Sequence, residues 1–190
     1  MKEWLVRTIA FVLLTAGSFL LANGCWIRAK AVLAQFLLQQ AWEQTLQSGE
    51  QVKPWPWADT WPVARLRMER LGVDLIVLEG ESGEVLAFGP GHLPGSSEPG
   101  SRGHCVLAGH RDTSFRFLQQ LQAGDTFSLQ SRDKKLHSYR IRETAIREAE
   151  TLYLAESDLP CLTLFTCYPF DTLQPGTHLR YLVFADRVSG

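Results

Sequence analysis

From residue 62 onward the chain is a succession of short β-rich runs separated by turn residues, and that pattern most limits what it can fold into. Runs at 63–68, 73–77, 105–108, 126–129, 161–166 and 181–185 are rich in Val, Leu, Ile, Phe and Thr and predict strands. A longer alternating run at 136–146 predicts a strand with Tyr139, Ile141 and Glu143 on one side. Residues 80–83 and Ala123-Gly124-Asp125 read as turns, and 84–88 lead into a glycine-rich loop over 89–103. One short helix is expected at 115–121, with Asp112 or Thr113 as its cap. Many short strands, turn-rich links and so little helix predict a mainly β fold, a closed or nearly closed β-barrel.

The N-terminal segment is of another kind. Lys2 and Arg7 precede an apolar run over 8–21, and no charge follows until Arg28. Counted from Trp4 to Ile27, the stretch has about the length needed to cross a bilayer, with Arg7 snorkelling to the headgroups. The reading preferred is an uncleaved single-pass anchor. A cleaved signal peptide and lipidation at Cys25 are the alternatives. Lys2 and Arg7 favour a cytoplasmic N-terminus, against the weaker pull of Arg28 and Lys30, so the rest of the chain is expected outside the cytoplasmic membrane. Residues 26–47 continue as a helical pattern, a stem with Ala31, Leu33, Ala34, Leu37, Leu38 and Trp42 along one stripe. Residues 48–60 form a linker broken by Pro54 and Pro56, with tryptophans suited to lipid or to a domain wall. The expected organisation is therefore an anchor over 1–25, a helical stem and Pro/Trp-rich linker over 26–61, and a barrel over 62–190.

A formal charge of -1 leaves no field to gather a polyanion, so nucleic acid is not an expected partner. The four cysteines form no dense disulfide framework and no Cys-x-x-Cys pair. His104, Cys105 and His110 do not have zinc spacing, and consecutive strand residues such as His104 and Cys105 face opposite ways. No metal and no cofactor is expected.

Three side chains carry chemistry. Cys167 ends the run at 161–166, and Tyr168-Pro169 then takes the chain out of the strand, so its thiol is expected at a barrel rim. It reads either as a nucleophile or as a small buried hydrophobe, the state that suits Cys105 and Cys161. His110 follows an apolar strand and Gly109, as a proton carrier or as a structural histidine at a loop start. Arg180 opens the last strand, either as plain surface or as the group that holds a carbonyl and its oxyanion. A thiol, an imidazole and a guanidinium, each at the edge of a strand, can together perform acyl transfer through a thioester. Four supporting candidates flank them. His92 either lines the site or is fixed by turn geometry, and Asp112 either orients His110 or pairs with Arg111. Thr166 and Tyr168 adjoin the thiol.

These residues fall in segments that resemble the sortase family, membrane-anchored cysteine transpeptidases of bacterial surfaces. Leu162-Thr163-Leu164-Phe165-Thr166-Cys167 resembles the signature around the nucleophile. Ala108-Gly109-His110 resembles the histidine segment, and Leu179-Arg180-Tyr181-Leu182-Val183 the arginine segment. Phe88-Gly89-Pro90-Gly91-His92, running on to Pro99-Gly100, is similar to the loop before the histidine strand. The Tyr168-Pro169-Phe170-Asp171 continuation resembles the compact members, including those of Gram-negative bacteria. The resemblance covers 62–188 and implies an eight-stranded barrel preceded by the transmembrane and stem helices. It also implies a secreted protein substrate with a C-terminal sorting signal of the Leu-Pro-x-Thr-Gly kind and an amine acceptor. Cys167, His110 and Arg180 are then the catalytic residues, and the rim over 168–176 is a lid on the peptide groove. Two other functions stay open: an endopeptidase that mainly hydrolyses, and a non-enzymatic membrane-tethered binding module.

Overall fold

The computed structural model describes residues 2–150, 157–172 and 176–188. The chain forms two compact units, residues 1–36 and 37–190. The expected barrel range and lid rim include 151–156, 173–175 and 189–190, which lie outside the described residues.

One helix, α1 (Lys2–Ser48), takes up the N-terminal region. An anchor helix and a separate stem helix were expected, and no break divides them. The reason is local: no proline occurs before Pro54, and Gly17 and Gly24 each cost a helix only about 1 kcal/mol. The helix is long and apolar enough to cross a membrane. From residue 37 its inward side is set by Leu38, Trp42 and Leu46, four apart, which meet Ile76, Leu78, Val85 and Phe88. Burying side chains of this size contributes roughly 1.5–3 kcal/mol each, so this part of the helix belongs to the folded unit. In the linker, Trp55 packs edge-on against Phe88 at 5.0 Å, Trp61 leans on the barrel core, and Trp57 is 79% exposed.

Eight strands close the barrel: β1 (Pro62–Met68), β2 (Val73–Glu79), β3 (Gly91–His92), β4 (His104–Ala108), β5 (Thr126–Ser131), β6 (Leu136–Glu148), β7 (Cys161–Tyr168) and β8 (Leu179–Val188). Around the barrel they run β1-β2-β3-β4-β7-β8-β6-β5, and β5 pairs back to β1. The seam β4-β7 is parallel, so the C-terminal ends of both strands lie at the same rim. Leu66, Leu107, Leu129, Tyr139, Leu164 and Val183 are among the side chains that fill the interior.

Four local expectations change. The loop over 89–103 contains β3, a two-residue strand parallel to β2 and antiparallel to β4. Gly91 permits this, because a side chain there would run into the Gly80 carbonyl. The helix expected at 115–121 is a 3-10 turn over Arg116–Gln120 that begins after Phe115 without a side-chain cap, so neither Asp112 nor Thr113 caps it. A bulge between Ile141 and Glu143 shifts the alternation of β6, leaving Tyr139 and Ile141 buried and Glu143 exposed. The end of the expected turn over 80–83 and the start of the lead-in over 84–88 form a one-turn helix, α2 (Gly83–Leu86), capped by the Ser82 hydroxyl.

His137 on β6 gives the fold a pH dependence. The Ser131 hydroxyl donates to Asp133 at 2.5 Å and lies 2.8 Å from His137 Nε2, so Nε2 donates to it. Nδ1 is buried with no partner among the described residues. Burial first, then the Arg187 guanidinium, holds the ring below the ordinary imidazole range. A lowered folded-state value means the unfolded chain takes the proton more readily, so stability is full above the ordinary range and is lost as pH falls through it. The unfolding midpoint of the chain is expected to drop between about pH 7.5 and about pH 5.5. His137→Gln, which cannot take that proton, should show a shallower drop in a thermal-melt series.

Candidate active site

The strand order brings the segments that carry the three chemical side chains side by side at one rim. On the β4-β7 seam Ala108 lies opposite Phe165. The Gly109 N–H continues the ladder to the Phe165 carbonyl at 3.2 Å. His110 follows two residues after the last paired residue of β4, as Cys167 follows two residues after Phe165. On the β7-β8 seam Cys167 lies opposite Arg180. Alternation supplies the face: Leu162 and Leu164 point into the core, so Cys167 shares the other face with Thr163 and Phe165. The His104 ring, bonded to the Thr163 hydroxyl at 2.7 Å, marks that same face. Directly opposed residues on antiparallel strands stand about 4.5–5.5 Å apart at Cβ, so Cys167 and Arg180 leave the sheet side by side.

The row is held from behind. The Thr166 hydroxyl, buried beside Cys167, donates to the Gly109 carbonyl at 2.7 Å. The His110 carbonyl accepts from the Phe115 N–H at 3.0 Å, which turns the chain immediately after the imidazole. Phe115 is fully buried against Gly109, where any side chain would collide with its ring. Gly109→Ala is therefore expected to overpack the site, lowering stability by about 1–3 kcal/mol. It should also lower kcat/KM at least tenfold by shifting His110, as thermal melts and steady-state kinetics would report.

The thiols divide by environment. Cys25, Cys105, Cys161 and Cys167 are all free. Burial drives the Cys105 thiol far above the ordinary range, and burial also raises Cys161. Cys167 is half-buried at the rim. Arg180 is oriented by its own loop: Nη1 donates to the Thr177 carbonyl at 2.6 Å and to the Leu179 carbonyl at 3.0 Å. A guanidinium carries five N–H groups. Among the described residues the other three make no hydrogen bond.

A family model described as a sortase domain matches residues 66–188. This chain is a member of the sortase family. It is 31% identical over 126 residues to Sortase D of Bacillus subtilis (strain 168), covering 65% of this chain and 63% of that relative, so the match spans less than two thirds of its length. Among solved structures, the Clostridium perfringens Sortase D5 transpeptidase superposes with a TM-score of 0.61 at 25% identity, covering 80% of this chain and 89% of that one. Sortase A from Corynebacterium diphtheriae gives 0.62 at 26% identity, covering 70% and 63%. The catalytic domain of B. anthracis SrtD gives 0.55 at 33% identity, covering 67% and 88%.

Not every residue singled out in the sequence joins the row of this sortase. His92 lies on β3, buried, with Nδ1 2.9 Å from Glu79 Oε2 and Nε2 within reach of the Ser96 hydroxyl and the Ser97 carbonyl. It pins the start of the 93–103 loop and stands beyond β4, away from Cys167. Asp112 is 70% exposed, and its carboxylate is 3.6 Å from the Arg111 Nε. The Tyr168 ring stacks on Tyr181 at 6.2 Å and meets Phe170 edge-on at 6.1 Å, an aromatic cluster beside the thiol. The Tyr168–Pro169 peptide is cis. Sequence reasoning missed Arg111, which is 7% exposed and donates to the carbonyls of Pro169 at 3.0 Å and Thr172 at 2.8 Å. A charge placed directly after His110 was the available sign, but its backbone partners lie 58 and 61 residues away.

Proposed function

We propose that this sortase is a membrane-anchored cysteine transpeptidase acting on secreted proteins with a C-terminal sorting signal of the Leu-Pro-x-Thr-Gly kind. The observation that supports this reading is Cys167 paired opposite Arg180 on β7-β8, with His110 two residues beyond the end of the neighbouring β4. The Cys167 thiolate attacks the carbonyl before the scissile bond, and the carbonyl π pair moves onto oxygen. The open N–H groups of Arg180 hold that oxyanion. The oxyanion collapses, the C–N bond breaks, and protonated His110 gives its proton to the leaving amine. A thioester remains on Cys167. An incoming amine attacks it, gives a proton to His110, and leaves the acyl group in a new amide with the thiolate restored. Water in place of the amine gives hydrolysis. An extended peptide bound along a sheet is the matching substrate shape.

The N-terminal helix supports the anchoring half of this reading. At 1.5 Å per residue, 47 residues span roughly 70 Å, more than twice a bilayer's hydrocarbon core. Only part of α1 can lie in lipid. The uncharged stretch between Arg7 and Arg28 is that part, and residues beyond it form the stem. Lys30 lies over the Trp26 ring at 5.0 Å, a pair suited to the headgroup level. Lys2 and Arg7 set the N-terminus in the cytoplasm and the barrel outside.

The test uses the full chain in detergent micelles with a Leu-Pro-Xaa-Thr-Gly peptide library, with and without triglycine. Expected are a thioester on Cys167 by mass spectrometry and a triglycine-ligated product. Hydrolysed product alone in the presence of triglycine would favour the endopeptidase. No cleavage and no adduct would leave the binding module.

A further inference from the structure

We infer that Arg111 is a positioning residue for the reaction, a clamp that fixes the chain after the nucleophile against the chain after the histidine. The inference rests on the transpeptidase reading and names a part of the machinery outside the row. Arg111 follows His110 directly. Its Nη1 donates to the Pro169 carbonyl at 3.0 Å and its Nη2 to the Thr172 carbonyl at 2.8 Å. Pro169 is two residues beyond Cys167. One planar group thus spans both sides of the site and closes a loop of residues 169–172 onto the histidine segment.

Two other described bonds join these segments, Gly109 N–H to the Phe165 carbonyl and Thr166 hydroxyl to the Gly109 carbonyl. Both lie on the barrel side of the reacting atoms. Arg111 alone among these acts beyond Cys167, where the chain has left the sheet and ladder bonds no longer set its path. The side chain is buried, and its exposed neighbour Asp112, at 3.6 Å from Nε, is too far for a hydrogen bond. The carbonyls of Pro169 and Thr172 each take one N–H from a different nitrogen of the guanidinium, a two-point grip that the fixed fork makes possible. Lysine, a single point donor, can reach one of them at a time.

Loosening this clamp changes the distance between groups that must meet, and a misplacement of about 1 Å costs about 100-fold in rate. The experiment measures steady-state kinetics of the full chain in micelles, using the library peptide cleaved fastest by the parent, together with thermal melts. Arg111→Met is expected to lower kcat by about 30- to 100-fold with KM within about threefold. Arg111→Lys should fall between it and the parent, and Arg132→Met serves as the control for loss of a surface arginine. A kcat for Arg111→Met within threefold of the parent overturns the inference, as does a raised KM at unchanged kcat. If Arg111→Met does not fold, Arg111→Lys decides: a lowered kcat at the parent's melting temperature supports the clamp, and full kcat overturns it. Thioester on Cys167 of the parent separates the two levels. Its absence sinks the transpeptidase reading, whereas its presence with a normal Arg111→Met sinks only the clamp.

Discussion

Cys167→Ala is expected to fold with an unfolding midpoint within a few degrees of the parent and to show neither transfer nor cleavage. Two physical points give this effect its size. First, no other thiol can take over. Cys105 sits in the core with its thiol driven far up by burial, Cys161 is raised by burial as well, and Cys25 lies in α1 in the uncharged N-terminal stretch. Second, covalent catalysis has no partial form: without the sulfur there is no thioester for the amine to attack. Cys167→Ser should be nearly as inactive, because a hydroxyl is a far weaker nucleophile and nothing in the row replaces that difference. The stability cost is small because the side chain is half-buried and makes no hydrogen bond among the described residues. The measurement is intact-mass analysis after incubation with the peptide library, alongside product analysis. An acyl adduct on the alanine variant would move the nucleophile elsewhere and undo the assignment of the row.

Much of the candidate site was legible in the sequence because its residues sit where patterns end. Cys167 and Arg180 close and open strands whose apolar runs are readable, and the turn residues around them mark the rim. What a single chain does not display is which strand ends adjoin. The parallel β4-β7 seam joins segments 57 residues apart, and only closure of the barrel makes them neighbours. The same limit hid β3. A Gly-His pair in a run of Gly and Pro has no β signal of its own, and it becomes a strand because β2 and β4 each offer an unpaired edge to it. The bulge in β6 escaped notice because alternation in the sequence continues through Arg142 while the pairing slips there. His92 and Arg111 look alike in sequence, polar residues beside loops. Burial sorts them, since His92 pins a loop remote from the thiol and Arg111 braces the loop that follows it.

Arg180→Gln is expected to lower kcat by roughly 100- to 1,000-fold with a change in KM of less than about fivefold, the range for removal of an oxyanion donor. Two effects compete to explain why Arg180 matters, and the substitutions separate them. If a positive charge near the thiol were sufficient, Arg147 would supply one, because it lies opposite Arg180 on the far side of β8. Arg147 is exposed, however, and its Nη1 is turned to the Ile146 carbonyl, so its charge is screened by water and its donors are not aimed at the row. Arg180 differs in being oriented. The carbonyls of Thr177 and Leu179 take both N–H groups of Nη1, and in the proposed mechanism the rest of the fork meets the carbonyl attacked by Cys167. Orientation should therefore outweigh charge. Arg180→Lys, which keeps the charge and loses the fork, should recover less than a tenth of parental kcat, while Arg147→Gln should change it by less than about threefold. The oxyanion forms in both half-reactions, so single-turnover acylation and amine transfer should slow together in Arg180→Gln. A loss below tenfold, or a rise in KM with kcat unchanged, would make Arg180 a binding group for the peptide instead of a partner of the transition state.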